Sequence, residues 1–204
     1  MSSWTELLER PEPKQHVVQL YGRDDQLLTR HVGQYLAEGL RRGEGVLLIA
    51  TPAHTQAIVR SLGEEDARSA AWAADGRFLA LEAAPTLSRI MVDGEPCRAR
   101  FDEIVGTRLQ ELRARPPRGG VRAFGEMVGL LWSTGQTSAA ARLEEYWGGL
   151  VEPEAVSLFC AYPIDVFGGE CAADTLKSVA LGHTHVYAAP RTLFASPSSR
   201  SRPH

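Results

Sequence analysis

The turn Gly22-Arg23-Asp24-Asp25 lies between an apolar segment and a long amphipathic segment, where a phosphate-binding protein of this layout carries its anion-binding loop. Such a loop is glycine-rich and ends in Lys-Ser or Lys-Thr, because backbone N–H groups wrap the phosphates and the ammonium meets their charge. This turn has one glycine and no lysine. Its two carboxylates occupy the positive end of the helix dipole and repel an anion. The turn therefore predicts a converted scaffold, a sensor or an interaction module, and disfavours a phosphate-transfer enzyme.

Several polar and aromatic residues follow the predicted strands. In an open parallel sheet, ligands bind beyond the carboxyl ends of the strands, so these positions form the candidate ligand site. The tyrosines and the tryptophan offer apolar area with a polar group, which suits a small organic ligand, and ordinary core packing is the alternative for each of them. The predicted ligand-binding residues are Tyr21, Arg23, Asp25, His54, Glu126, Trp132 and Tyr162.

Glu126 is the leading candidate in this set. It follows the predicted strand VRAFG, and a carboxylate at the rim of an apolar pocket tends to have a raised pKa or a cationic partner. The alternative is that Glu126 caps the next turn or pairs with an arginine such as Arg23 or Arg142. His54 lies in the first turn of a predicted helix and points either over the strand ends or outward as an ordinary surface histidine.

Histidines and cysteines are the remaining candidates for chemistry. His183 and His185 are two residues apart on a predicted strand and in principle could meet His16 at a metal. However, His16 opens its strand, at the end opposite the presumed ligand cleft, so a structural hydrogen-bonding role is favoured. The three cysteines, Cys97, Cys160 and Cys171, have irregular spacings that fit reduced thiols and indicate no zinc site. Cys160 is expected to be a small buried hydrophobe, and no metal or cofactor is predicted.

Composition excludes several classes of function. The chain has 204 residues, of which 44% are hydrophobic and 23% charged, and its net charge of −3 comes without a long basic run. Direct nucleic-acid binding and binding to an anionic membrane surface are therefore disfavoured. The longest apolar runs are strand-sized and the start of the chain lacks a signal-peptide pattern, so a cytoplasmic location is expected. Without a Gly-x-Ser-x-Gly, His-Glu-x-x-His or Walker pattern, no enzyme activity is expected.

Strands and helices alternate along most of the chain. Apolar runs predict strands at 16–21, 46–50, 77–82, 121–125, 156–162 and 184–188, and helical periodicity predicts helices that include 25–42, 101–113, 138–150 and 172–181. This alternation predicts an α/β fold with three layers, α/β/α, and a mostly parallel central sheet. We expect an N-terminal helix and linker at 1–15, one domain at 16–189 and a disordered Ser/Arg/Pro-rich tail at 190–204.

A series of longer sequence words resembles the MEDS domain, the DcmR-type sensory domain of methanogen and methylotroph regulators. The words cover about residues 15–187 and occur in this order: HVVQLYGRDDQLL, YLAEGLRRGEGVLLIATPAH, GRFLALEAAPTLSRIMVDG, CRARFDEIV, VRAFGEMVGLLWSTG, LEEYWGGL, SLFCAYPI and GHTHV. The resemblance implies a RecA/KaiC-like core with a degenerate P-loop that senses small organic molecules. Its better-known members also carry a kinase, a receiver or a helix-turn-helix segment, which this chain lacks.

Together these observations predict a sensory, signal-transduction module. It binds a small, largely apolar organic molecule and signals through a partner such as a histidine kinase or a transcription regulator. The expected switch is the segment VGLLWSTGQT, where Gly129 and Gly135 permit rearrangement and Trp132 is a displaceable wedge. The alternatives are a ligand-free interaction adaptor and a residual nucleotide-binding KaiC-like protein. A homo-oligomer is compatible with each. If Tyr21, Glu126, Trp132 and Tyr162 converge, they form one pocket at the strand carboxyl ends.

Overall fold

The computed structural model of the chain describes residues 4–11, 15–22, 25–65, 74–115, 120–154, 156–163 and 183–188. Within these ranges the strands are β1 (His16–Tyr21), β2 (Gly45–Ala50), β3 (Phe78–Glu82), β4 (Met91–Val92), β5 (Glu95–Pro96), β6 (Val121–Gly125), β7 (Val156–Pro163) and β8 (His185–Ala188). The helices are α1 (Trp4–Glu9), α2 (Gln26–Arg41), α3 (Pro52–Glu65), α4 (Ala83–Ile90), α5 (Arg98–Phe101), α6 (Thr107–Ala114), α7 (Met127–Ser133) and α8 (Thr137–Glu154). A π-helical turn, Asp102–Gly106, joins α5 to α6.

The central sheet has six parallel strands in the order β3-β2-β6-β7-β1-β8. The short strands β4 and β5 form a separate antiparallel pair around the turn at Asp93-Gly94. All six strands predicted from apolar runs are present, and the parallel arrangement is confirmed. Because the strands are parallel, the segments that follow them all lie along one edge of the sheet.

Helices cover both faces of the sheet, which confirms the three-layer α/β/α architecture. Strand β2 shows the division: Val46, Leu48 and Ala50 pack in the core formed with α1, α2 and α3, here called the α2 face. Leu47 and Ile49 point the other way into the core formed with α4 to α8, called the α8 face. A strand covered on both faces must be apolar at consecutive positions, which is why GVLLIA shows no polar alternation.

Arg122 is a buried charge on the α2 face that fastens the N-terminal helix to the sheet. Its side chain is 1% exposed and pairs with Glu44. The guanidinium also donates to the backbone carbonyls of Leu8 and Tyr35, each at 2.8 Å, and of Glu9 at 3.1 Å. A planar group with five donors can satisfy all of these acceptors at once, so the charge is fully compensated although it lies in the core.

The segment VGLLWSTGQT, expected to be a glycine-rich switch, contains helix α7. Val128 and Leu131 face the core, which supplies the apolar contact that makes a short helix stable despite its glycine. The helix ends at Thr134 and at Gly135, whose φ of 76° lies in the left-handed region favoured by glycine. The predicted helix at 172–181 and the predicted tail at 190–204 lie outside the described residues.

Candidate functional site

Four predicted site residues meet at the carboxyl edge of the sheet on the α2 face, and we call them the carboxyl-edge cluster: Tyr21, Asp25, His54 and Glu126. Tyr21 ends β1, and Asp25 directly precedes α2. His54 lies in the first turn of α3, after β2, while Glu126 follows β6. Since β2 and β6 are neighbours in the sheet, His54 and Glu126 are brought together by the topology.

His54 joins the two carboxylates of this cluster. Its Nδ1 is hydrogen-bonded to Oε1 of Glu126, and its Nε2 lies 2.8 Å from Oδ2 of Asp25. The backbone N–H of Thr51 donates to the second oxygen of Glu126 at 2.7 Å. An imidazole ring with a carboxylate on each nitrogen donates twice, which is the hydrogen-bonding pattern of the protonated form. The tyrosine ring packs edge-on against the imidazole, with centroids 5.8 Å apart.

The electrostatics of the cluster agree with this pattern. Burial lowers the pKa of His54, but the hydrogen bonds and charges of Glu126 and Asp25 outweigh it and raise that pKa to about 9. Burial and the same two carboxylates raise the pKa of the Tyr21 phenol. Glu126 is 4% exposed and His54 is 8% exposed. The cluster is therefore a largely buried ion triad whose polar atoms pair with one another.

The cationic partner expected for Glu126 is thus His54, a residue that the sequence offered only as a separate candidate. Arg142, one of the arginines considered, lies 3.5 Å from Glu95 and pairs with that carboxylate. The other, Arg23, lies outside the described residues. His54 points over the strand ends, as one of its two sequence-based alternatives expected.

Trp132 and Tyr162 lie on the opposite face of the sheet, so the expected convergence on one pocket is wrong. In the parallel pairing of β1 with β7, Tyr162 is the register partner of Leu20. Tyr21 is one residue further along and therefore points to the other face. The Tyr162 hydroxyl donates to the Glu144 carboxylate of α8 and receives a side-chain hydrogen bond from Trp132. Both aromatic rings pack in the core of the α8 face.

A groove on the α8 side of the molecule has the dimensions of a small-ligand site. It lies between α4, the β4–β5 turn and α7, and its volume is about 460 Å³. Ala84, Leu87 and Met91 line one side, and Leu130 and Leu131 of α7 line the other. Sequence reasoning did not identify this groove, although it singled out the α7 segment that forms one wall.

The candidate metal-binding histidines are separated by the structure. The rings of His16 and His183 are 4.0 Å apart between centroids, whereas the imidazole of His185 contacts the hydroxyl of Thr184. The structural role favoured for His16 has a clear counterpart, because its backbone N–H and carbonyl both bond to the Thr184 side chain. Cys160 is 1% exposed, as expected for a buried thiol, and its sulfur lies 3.2 Å from the Nε2 of His16.

Comparison with known proteins gives one result on the family. None of the helices in the described ranges combines the length and apolar character that a bilayer span requires. None of the curated proteins matches the chain. The family model of the methanogen/methylotroph, DcmR sensory domain matches residues 15–178, which include β1 to β7 and all of the carboxyl-edge cluster. The chain therefore belongs to the MEDS family of sensory domains, a membership that indicates a role in signal transduction.

Proposed function

We propose that this MEDS domain senses a small, largely apolar organic molecule in the groove between α4 and α7 and signals its presence to a protein partner. A histidine kinase or a transcription regulator is the class of partner that a sensory domain without an output segment requires. The observation that carries the proposal is the groove itself, because its wall is the α7 segment that is suited to act as a switch.

The lining of the groove determines the class of ligand. Leu87, Met91 and Leu130 supply aliphatic and thioether surface without a charged group. Polar atoms come from Thr134 and Gln136, whose side chains are already hydrogen-bonded to each other at 2.9 Å. A site of this kind binds a mostly apolar molecule and orients it through one or two polar contacts.

The α7 wall also provides a path for the signal. The helix is seven residues long and ends at a left-handed glycine, so its C-terminal turn has few contacts to lose when it moves. Trp132 on this helix is hydrogen-bonded to Tyr162 of β7, which in turn bonds Glu144 of α8. A molecule that repositions α7 thereby acts on α8, a long helix at the outside of the domain.

The carboxyl-edge cluster is a less suitable place for such a ligand. Its two carboxylates are already bonded to His54 and to the backbone of Thr51, and breaking these bonds would leave buried charge unpaired. An apolar molecule offers no replacement for them. We therefore place the sensing site in the groove and assign the cluster to the stability of the carboxyl edge.

A groove-filling substitution tests the proposal. A panel of short halogenated and methylated organic compounds is screened by thermal unfolding, and a compound at about 100 times its Kd should stabilise the fold by about 2.7 kcal/mol. Ala84→Phe places a ring in the groove and should abolish this stabilisation. Ala141→Phe, at an exposed position of α8, should preserve it.

Two further readouts complete the test. Native mass spectrometry of protein purified from its own host should reveal a retained small molecule in the wild type and in Ala141→Phe, but not in Ala84→Phe. If a compound stabilises both variants as much as the wild type, it binds elsewhere and the groove is not the sensing site.

A further inference from the structure

Four side chains with metal-ligating atoms meet on the α8 face, and we call them the buried ligand cluster: His16, Glu144, Cys160 and His183. They come from β1, α8, β7 and the segment just before β8, so up to 167 positions of the numbering separate them. The sheet order places β7, β1 and β8 side by side, and α8 packs over this part of the sheet. The cluster is therefore a product of the fold and has no short sequence signature.

Their ligating atoms surround a common centre. Within the described residues, one ligand atom of each side chain lies within 4.8 Å of those of the other three. The Nε2 of His16 is 3.2 Å from the sulfur of Cys160 and 3.6 Å from Oε2 of Glu144. The Nε2 of His183 is 3.7 Å from Oε1 of the same carboxylate.

These distances match the spacing of ligands around a tetrahedral ion. With metal–ligand bonds of about 2.0–2.3 Å, neighbouring ligand atoms lie roughly 3.3–3.8 Å apart. The two contacts between imidazole nitrogens and the carboxylate are longer than a good N–H···O hydrogen bond, which is about 2.7–3.2 Å. Direct hydrogen bonding thus does not account for the way in which both histidines approach Glu144.

The surroundings of the cluster also suit an ion. The side chains of His16 and His183 are 8% and 1% exposed, and that of Glu144 is 19% exposed. The Tyr162 hydroxyl donates to the Glu144 carboxylate, which is the kind of outer contact that orients a carboxylate ligand. Buried carboxylate, thiol and imidazole groups without a positive centre would be a costly combination.

We propose that His16, Glu144, Cys160 and His183 form a binding site for a divalent transition metal ion, with Zn²⁺ as the best fit. A set of two nitrogens, one sulfur and one oxygen is typical of Zn²⁺ and excludes Mg²⁺ and Ca²⁺, which take oxygen ligands. The site is separate from the groove and independent of the function proposed for it. It also revises the sequence-based expectation of no metal, which rested on the spacing of the cysteines.

Cobalt provides a direct probe, because Co²⁺ bound to a thiolate in a tetrahedral site gives both a charge-transfer band and intense visible bands. The full-length protein is stripped with a chelator, titrated with Co²⁺ and then with Zn²⁺, which should bleach the bands. Cys160→Ser should remove the charge-transfer band. Cys97→Ser, which alters a cysteine outside the cluster, should leave it unchanged.

Histidine and carboxylate variants extend the test. His183→Ala and Glu144→Gln should weaken Zn²⁺ binding, whereas His185→Ala and Glu145→Gln, their neighbours outside the cluster, should bind as the wild type does. Tyr162→Phe removes the outer hydrogen bond and should weaken binding about 10- to 100-fold.

Two outcomes would overturn the proposal, and neither depends on a variant that fails to fold. The first is a folded wild type that shows no cobalt spectrum and takes up no Zn²⁺. The second is a thiolate–cobalt band that persists in Cys160→Ser.

Discussion

His54 and Glu126 share a hydrogen bond across the ends of β2 and β6, although 72 positions of the chain separate them. Asp25 holds the other nitrogen of the same ring, so the ends of three crossovers are fastened to one imidazole. This arrangement makes the carboxyl edge of the sheet sensitive to the protonation of a single residue.

The first prediction follows from the pKa of His54. It is raised to about 9 in the folded protein, above the ordinary value of 6.5, so the protonated ring stabilises the fold. This stabilisation is fully present below about pH 6.5 and is lost as the pH rises through about 9. We expect the free energy of unfolding to fall over this window by on the order of 2 kcal/mol, as measured by urea denaturation.

The variant His54→Gln isolates this effect. It should be less stable than the wild type at neutral pH and should lack most of the decline between about pH 6.5 and 9. His185→Gln, which changes a histidine outside the cluster, should keep the decline of the wild type. Parallel pH profiles for wild type and His54→Gln would show that the imidazole is not the responsible group.

The second prediction concerns Arg122. Replacing it with Met keeps much of the side-chain volume but leaves Glu44 and the carbonyls of α1 and α2 without their donor. We expect a loss of about 3–5 kcal/mol in the free energy of unfolding. Arg108→Met removes an exposed pair with Glu111 and should cost no more than about 1 kcal/mol. Similar losses in the two variants would contradict the anchoring role of Arg122.

The third prediction is that ATP and GTP do not bind tightly. The turn after β1 has no lysine, and the carboxylates of Asp25 and Glu126 lie at the edge where the phosphates of a nucleotide would have to bind. Isothermal titration calorimetry with Mg-nucleotide should give no measurable heat of specific binding. A sub-micromolar Kd would favour the residual nucleotide-binding alternative.

Much of the fold could be predicted from local patterns. The strands are continuous apolar runs bounded by turn residues, as in Gly45–Ala50, and a parallel sheet follows from the helices that separate them. The approach of His54 to Glu126 was also accessible in part, since both residues follow strands. Their pairing required the adjacency of β2 and β6, which no local pattern contains.

The assignment of aromatic residues to faces could not be made from the sequence. Whether Tyr21 and Tyr162 share a face depends on the register of β1 against β7, and a shift of one residue reverses the answer. Glu144 was likewise hidden, because a glutamate in the helical word LEEYWGGL suggests a solvated position. Its inward direction shows only through its spacing of three residues from Trp147, which is buried on the same helix.

The hydrogen-bonded series Trp132, Tyr162 and Glu144 connects the groove wall to the buried ligand cluster. Two binding places joined in this way obey thermodynamic reciprocity: the factor by which an ion in the cluster changes affinity in the groove equals the factor by which a molecule in the groove changes affinity for the ion. The organic signal and the metal content of the cell would then be integrated by one domain, with the ion setting the concentration threshold at which the molecule is detected.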